Sequence, residues 1–211
     1  MDKMKYTIDG PFYMEGEKPI EQEAAPKKTA VVTGWADGYM DDLSVRREKA
    51  REGGGQKRID AQHKKGKLTA RERVEYLFDE GSFQEVGAFI ESRFTEFGMK
   101  DKKLPGDGVI TGFGTINGEP VYAAVEDFTV MGGTYGEYHS RKIVRIMDMA
   151  FQSKAPFITI NDSGGARIEE GIAGLDGYGD MFLRHTRASG KIPQIAVVLW
   201  RYRTFSKETS T

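Results

Sequence analysis

The order of apolar segments in the C-terminal half constrains the fold more than any other feature of the sequence. Residues 109–116 and 120–125 are apolar runs separated by Asn117-Gly118. Both residues of this pair tolerate the positive φ angles of a type I′ turn, so the sequence predicts a β-hairpin. Residues 83–127 as a whole are interpreted as strands.

Helices and buried strands alternate after the hairpin. Apolar residues recur at helical spacing over residues 137–152, and a second helix is predicted over residues 175–189. A short apolar strand follows each helix, at residues 156–160 and 192–199. This order predicts an α/β fold whose last strands lie in one partly parallel sheet.

The chain before the hairpin changes character at about residue 40. Residues 1–40 mix glycine, proline and charges without periodicity, which is typical of an extended arm. Between Arg46 and Arg73, eleven Lys or Arg residues stand against four acidic residues. We predict two short basic helices here, joined by glycines, the second beginning with a capping box of Thr69 and Glu72.

Composition excludes several classes of protein. With 31 Lys and Arg residues against 32 Asp and Glu residues, the chain does not have the charge of a globally basic nucleic-acid-binding protein. The absence of cysteine excludes disulfides and a thiol nucleophile. The three histidines lack metal-ligand spacing, so no metal site is expected. Because there is neither a long apolar run nor a signal-peptide core, we predict a cytoplasmic protein without direct membrane insertion.

Two glycine-rich loops are the candidate sites of chemistry. Residues 161–167 (Asn-Asp-Ser-Gly-Gly-Ala-Arg) lie between a predicted strand and a predicted helix. Their paired glycines can turn main-chain N–H groups into one concavity that favours a phosphate or an oxyanion; a simple strand-to-helix turn is the alternative. Gly132 and Gly133 belong to the second loop, residues 128–136. There a tight structural connection is the preferred interpretation, and close passage of a ligand is the alternative.

Several stretches of the sequence resemble, in chain order, signatures of the biotin-dependent acyl-CoA carboxyltransferases: residues 53–73, 127–130, 131–133 and 161–171. The resemblance extends from about Leu43 to Leu199. It implies an α/β, crotonase-like fold of ββα units, here incomplete at the C-terminus. On this basis we divide the chain into an extended arm, a basic helical segment, the first part of an N-terminal carboxyltransferase domain and a non-matching tail, at residues 1–40, 41–82, 83–199 and 200–211.

The resemblance also implies an activity and its partners. The chain is expected to be a carboxyltransferase component of an acyl-CoA carboxylase of the propionyl-CoA type, which moves CO2 between carboxybiotin and the α-carbon of an acyl-CoA. Biotin would be carried by a separate protein or domain, and biotin carboxylase and biotin carrier subunits would be partners. Homo-oligomers are common in the family. No side-chain base is evident in the sequence, and in this family the cofactor is thought to take the α-proton.

Site residues follow from the same resemblance. Main-chain N–H groups of Gly164, Gly165 and Ala166 are expected to form half of an oxyanion hole for the thioester. Gly132 and Gly133 are expected to form a loop beside the ligand. The candidate CoA-binding side chains are basic: Arg58, Lys64, Lys67 and Arg167.

The sequence departs from the family pattern after Leu199, where a Gly-Pro-Cys-Ala-Gly-Gly-Ala turn is expected and residues 200–211 are polar instead. We therefore expect no carboxyltransferase turnover from the isolated chain. Three alternatives stay open: the α subunit of a methylmalonyl-CoA or glutaconyl-CoA decarboxylase, a hydratase or isomerase of the crotonase type, and a non-catalytic CoA-binding or assembly module.

Overall fold

A computed structural model describes residues 37–199. The chain divides into two units, residues 1–40 and 41–211, and only the first residues of one helix are described in the first unit. Most of the predicted arm and all of the predicted tail lie outside the described residues. The four-part division of the chain therefore stays a prediction.

A five-stranded mixed sheet forms the centre of the second unit, and its strands follow one another in chain order. The first three strands pair antiparallel, and the last three pair parallel. Asn117 and Gly118 have φ angles of 52° and 80°, so the predicted type I′ hairpin is confirmed. The strands are β1 (Gln84–Glu85), β2 (Val109–Ile116), β3 (Glu119–Glu126), β4 (Phe157–Asn161) and β5 (Gln194–Val198).

Helices cover both faces of the sheet. They are α1 (Asp37–Arg51), α2 (Gln56–His63), α3 (Ala70–Leu77), α4 (Glu137–Ser153) and α5 (Ile172–Ala188). On β3, Val121, Ala123 and Val125 pack in a core with α3, whereas Ala124 packs in a second core with α4 and α5. The alternation follows from the two-residue period of a strand, and it explains why β3 is apolar on both faces.

Most predicted elements are present, with two differences. Between residue 37 and the sheet there are three helices instead of the predicted two, because Gly53 to Gly55 and Gly66 both interrupt the basic stretch. Residues 83–127 are not all strands: between β1 and β2 the chain is irregular, with a short 3₁₀ turn at Lys100–Lys102. The capping box of Thr69 and Glu72 is confirmed. Among the described helices, none has the length and apolar character needed to cross a bilayer.

Candidate functional site

A cleft of about 660 Å³ lies where β3, β4 and β5 end. The carboxyl ends of these parallel strands meet at one edge of the sheet, which is where open α/β sheets commonly bind ligands. Its walls include both charged and small residues, among them Lys67, Glu126, Tyr135, Asp162, Gly164 and Tyr178. The loop of residues 161–167 follows β4 directly and forms one wall.

The two glycine loops pack against each other beside this cleft. The Ser163 hydroxyl donates to the Gly133 carbonyl at 2.6 Å, and the Gly164 N–H donates to the Gly132 carbonyl at 2.9 Å. A Cβ on Gly133 would lie 2.5 Å from the Asp162 carbonyl oxygen, so only glycine fits there. This packing matches the interpretation of Gly132 and Gly133 as a tight structural connection.

The hydrogen bonds of the loop revise the predicted set of oxyanion donors. The Gly164 N–H is committed to Gly132, so it is not available to a ligand in this conformation. The Gly165 N–H donates to the Ser163 hydroxyl at 3.1 Å, a local bond that a ligand oxygen can replace. For the Ala166 N–H, residues 37–199 provide no acceptor. The remaining candidates are therefore Ala166 and, after exchange of one bond, Gly165.

Arg167 lies beneath the loop and not in the cleft. Its side chain is 0% exposed, and its Nη1 is 2.6 Å from Asp107 Oδ1 and 2.8 Å from Glu170 Oε1. It also donates to the Thr134 carbonyl at 2.8 Å. The prediction that Arg167 binds CoA is corrected accordingly, because a fully covered guanidinium with these partners supports the loop.

The predicted basic residues fall into different positions. Lys67 reaches the cleft, where its Nζ is 2.8 Å from Asp162 Oδ1 and 3.0 Å from the Leu199 carbonyl oxygen. Arg58 lines an adjoining groove of about 320 Å³ and donates to the Thr129 carbonyl at 3.1 Å. Lys64 is exposed and lines neither cavity.

Lys65 and Phe128 are site residues that the sequence did not single out. Phe128 contributes to both the cleft and the groove, and Lys65 lines the groove. The Nζ atoms of Lys65 and Lys67 lie 5.6 and 5.8 Å from the centre of the Phe128 ring. No local signal links them, because Phe128 follows Glu126 and Asp127 in the sequence and lies more than 60 positions from the two lysines.

Glu126 is the most unusual side chain of the cleft. It is 2% exposed, and neither carboxyl oxygen completes a hydrogen bond with a described residue. Burial raises the pKa of Glu126 to about 7; the Tyr135 hydroxyl and the Asp162 main chain approach the carboxyl and only partly offset this effect. The two-residue period of β3 could have found it, because it assigns Glu126 to the face of Ala124 and not to the solvent.

Within the described part of the chain, no group of His, Asp or Glu side chains could hold a metal ion. The chemistry available in the cleft therefore comes from N–H donors, a buried carboxyl group and a few cations. Such a set can bind and orient a polar ligand that has an anionic part and a carbonyl group.

Comparison with known proteins assigns the family. Residues 61–202 match the family described as Carboxyl transferase domain. The chain is 59% identical over 160 residues to the propionyl-CoA carboxylase beta chain of Cereibacter sphaeroides, and 52% identical over 160 residues to the methylmalonyl-CoA decarboxylase subunit alpha of Propionigenium modestum. Each alignment covers 76% of this chain and 31% of the relative, so the chain spans about a third of these proteins.

A solved structure agrees with these matches. The crystal structure of transcarboxylase 12S with methylmalonyl-coenzyme A and methylmalonic acid bound has a TM-score of 0.76 and 49% identity to this chain. The superposition covers 79% of this chain and 33% of transcarboxylase 12S. The predicted α/β, crotonase-like fold is thereby confirmed, and the chain belongs to the carboxyl transferase domain family.

Proposed function

We propose that this chain is the acyl-CoA-binding part of a carboxyltransferase component of a biotin-dependent acyl-CoA carboxylase, of the propionyl-CoA type. In this role it holds the acyl thioester while CO2 moves between carboxybiotin and the thioester α-carbon. The observation that carries the proposal is the junction at Phe128 of a basic groove and a cleft with N–H donors. This arrangement suits a ligand with anionic phosphates at one end and a thioester at the other.

The groove supplies the cations for the CoA phosphates. Arg58 and Lys65 line it, and both side chains are exposed enough to meet a ligand. The exposed Lys64 directly precedes Lys65 and can reach a phosphate from outside the groove. Lys67 is a weaker candidate because its Nζ already donates to Asp162 and to the Leu199 carbonyl oxygen.

The loop after β4 supplies donors for the thioester carbonyl. The Ala166 N–H, together with the Gly165 N–H after release of Ser163, can donate to the oxygen as negative charge develops on it. A donor of this type lowers a reaction barrier by roughly 3–4 kcal/mol. The proposed oxyanion hole is therefore smaller than the sequence suggested.

Carboxybiotin supplies the carboxyl group when it is bound. The cleft of about 660 Å³ is roomy enough for a bicyclic ring beside a short acyl chain, and a ureido oxygen can accept from N–H donors of the kind found here. This chain binds and orients the acyl thioester beside that group. Biotin carboxylase and biotin carrier subunits, a homo-oligomer and a cytoplasmic location are part of the same proposal. The oligomer is supported by the hexamer assembly described for transcarboxylase 12S.

A decarboxylase component is the second candidate. It is favoured by the 52% identity to a methylmalonyl-CoA decarboxylase alpha subunit. Both systems handle the same pair of thioesters in opposite directions, so the cleft described above suits either.

Calorimetric titration of the chain with propionyl-CoA tests the proposal. We expect binding, and we expect Lys65→Met to weaken it about tenfold, because a cation that donates to a phosphate is worth more than 1 kcal/mol. Lys57→Met is the matched control, since Lys57 is exposed on α2 and lines neither cavity. If the wild-type chain bound no propionyl-CoA at millimolar concentration, the proposal would be wrong.

A further inference from the structure

Glu126 is a buried group that the proposed function does not use. It ends β3 in the wall of the cleft, it is 2% exposed, and its two oxygens have no hydrogen-bond partner among the described residues. Folded proteins pair almost all buried polar atoms, so an unpaired carboxyl group in a ligand cleft calls for a functional explanation.

The charges around Glu126 come from several elements. Asp162 follows β4 and Arg73 lies on α3, while Tyr135 precedes α4 and Tyr178 lies on α5. Lys67, on the segment before α3, lines the same cleft.

The charges of Arg73, Lys67 and Asp162 add up to one net positive charge. Asp162 binds both cations, with Arg73 Nη2 at 2.7 Å from Oδ2 and Lys67 Nζ at 2.8 Å from Oδ1. Two cations against one carboxylate leave a net positive wall while Glu126 is protonated. Ionisation of Glu126 cancels that charge.

We propose that Glu126 sets the charge selectivity of the acyl end of the cleft. With its carboxyl group protonated, the cleft accepts an acyl thioester that carries a carboxylate. With the group ionised, the cleft disfavours that ligand relative to an uncharged acyl thioester. The inference rests on the proposed function, in which the two ligands are the carboxylated and uncarboxylated forms of one substrate.

The effect does not require contact between Glu126 and the ligand. Two unit charges roughly 10 Å apart, in an effective dielectric constant of about 20, change an affinity by about tenfold. Because burial raises the pKa of Glu126 to about 7, its ionisation falls between pH 6 and pH 8. Over this range a malonyl-type carboxylate stays ionised, since ordinary carboxyl groups titrate near pH 4. The selectivity therefore changes through the protein and not through the ligand.

The test is calorimetry on the full 211-residue chain with propionyl-CoA and methylmalonyl-CoA, at pH 6 and at pH 8. We expect the ratio of the two dissociation constants, methylmalonyl-CoA over propionyl-CoA, to rise about fivefold from pH 6 to pH 8, because the ionised fraction of Glu126 rises from about one tenth to about nine tenths over this range. The ratio removes any effect of pH on CoA contacts that the two ligands share. In Glu126→Gln, a neutral variant of the same shape, we expect the ratio to keep its low value at both pH values.

Glu119→Gln is the control, because Glu119 is exposed at the other end of β3. It should behave like the wild type. If both ligands bind and the wild-type ratio is flat, or if the ratio rises equally in Glu126→Gln, the inference is wrong and the proposed function is unaffected. If neither ligand binds, the proposed function fails first and the inference fails with it.

Discussion

Two buried glutamates beside the same loop have pKa values that are shifted in opposite directions. Glu170 and Glu126 are 3% and 2% exposed. The pKa of Glu170 is lowered: burial alone would raise it, but the Ser92 hydroxyl, the Glu137 N–H and the Arg167 guanidinium outweigh burial. The pKa of Glu126 is raised to about 7, because the Tyr135 hydroxyl and the Asp162 main chain offset burial there only in part. The two side chains are almost equally covered, but Glu126 lies deeper in the protein, so stronger desolvation at Glu126 and the hydrogen-bond donors around Glu170 both contribute to the difference.

The difference separates a structural site from a candidate functional one. Ser92 donates to Glu170 Oε1 at 2.7 Å, the Glu137 N–H donates to Oε2 at 2.6 Å, and Arg167 Nη1 donates to Oε1 at 2.8 Å. These donors come from three segments and hold the start of α4 against the loop. Neither carboxyl oxygen of Glu126 completes a hydrogen bond with a described residue, so this group can respond to pH and to a ligand.

The largest expected change in the free energy of unfolding is at Glu170, the glutamate that is paired with donors. Arg167→Met leaves Glu170 and Asp107 without their buried cation, and the pKa of Asp107 is already raised to about 6, chiefly by burial. Removing one partner of a buried ion pair costs about 3–5 kcal/mol, and we expect that loss in the free energy of unfolding from urea titration. Arg145→Met is the control, because it makes the same substitution at an exposed position of α4. A loss below about 1 kcal/mol would show that Arg167 is not structural.

The next largest effect is expected at Glu126, where substitution should stabilise the chain at high pH instead of destabilising it. A raised pKa means that the folded chain binds more protons than the unfolded chain between about pH 4.5 and pH 7, so wild-type stability falls as pH rises through that window. Glu126→Gln does not ionise. Its stability relative to the wild type should therefore increase by about 2–3 kcal/mol from pH 5 to pH 8, measured by urea unfolding at each pH.

The matched variant is Glu170→Gln, which carries the same change at the paired site. A lowered pKa contributes stability above the unfolded value, so this variant should be less stable than the wild type at pH 8. If both glutamine variants shift stability in the same direction at pH 8, hydrogen-bond donors do not explain the contrast.

The sequence predicted the elements better than it predicted the site. The hairpin, α4 and α5 follow from local signals, namely a turn pair and helical periodicity. These signals depend on neighbouring residues in the sequence and not on tertiary contacts. Arg167 was assigned to a ligand because its charge is visible in sequence, whereas the face to which the loop turns is not. Its partner Asp107 is 60 residues away.

Glu126 was missed for a related reason. The sequence predicts that the apolar run 120–125 ends at Val125, because a charged residue just after an apolar run normally marks a strand boundary. Whether that residue finds donors depends on loops that arrive from β4 and from the segment before α4. Local patterns contain no information about those loops.

Asp162 is intermediate between Glu170, which has several donors, and Glu126, which has none that completes a hydrogen bond among the described residues. The smallest change in the free energy of unfolding is expected here. It has two cations, so Lys67→Met leaves Arg73 in place on the other oxygen. Lys67 is 24% exposed at its side chain, and partly exposed pairs contribute about 1 kcal/mol or less. We expect a loss of that size in urea unfolding, with the exposed Lys64→Met as control. A loss as large as that of Arg167→Met would mean that one donor cannot replace another at a buried carboxylate. In that case the number of donors would not distinguish Glu170 from Glu126, and the geometry of the donors would have to explain the difference.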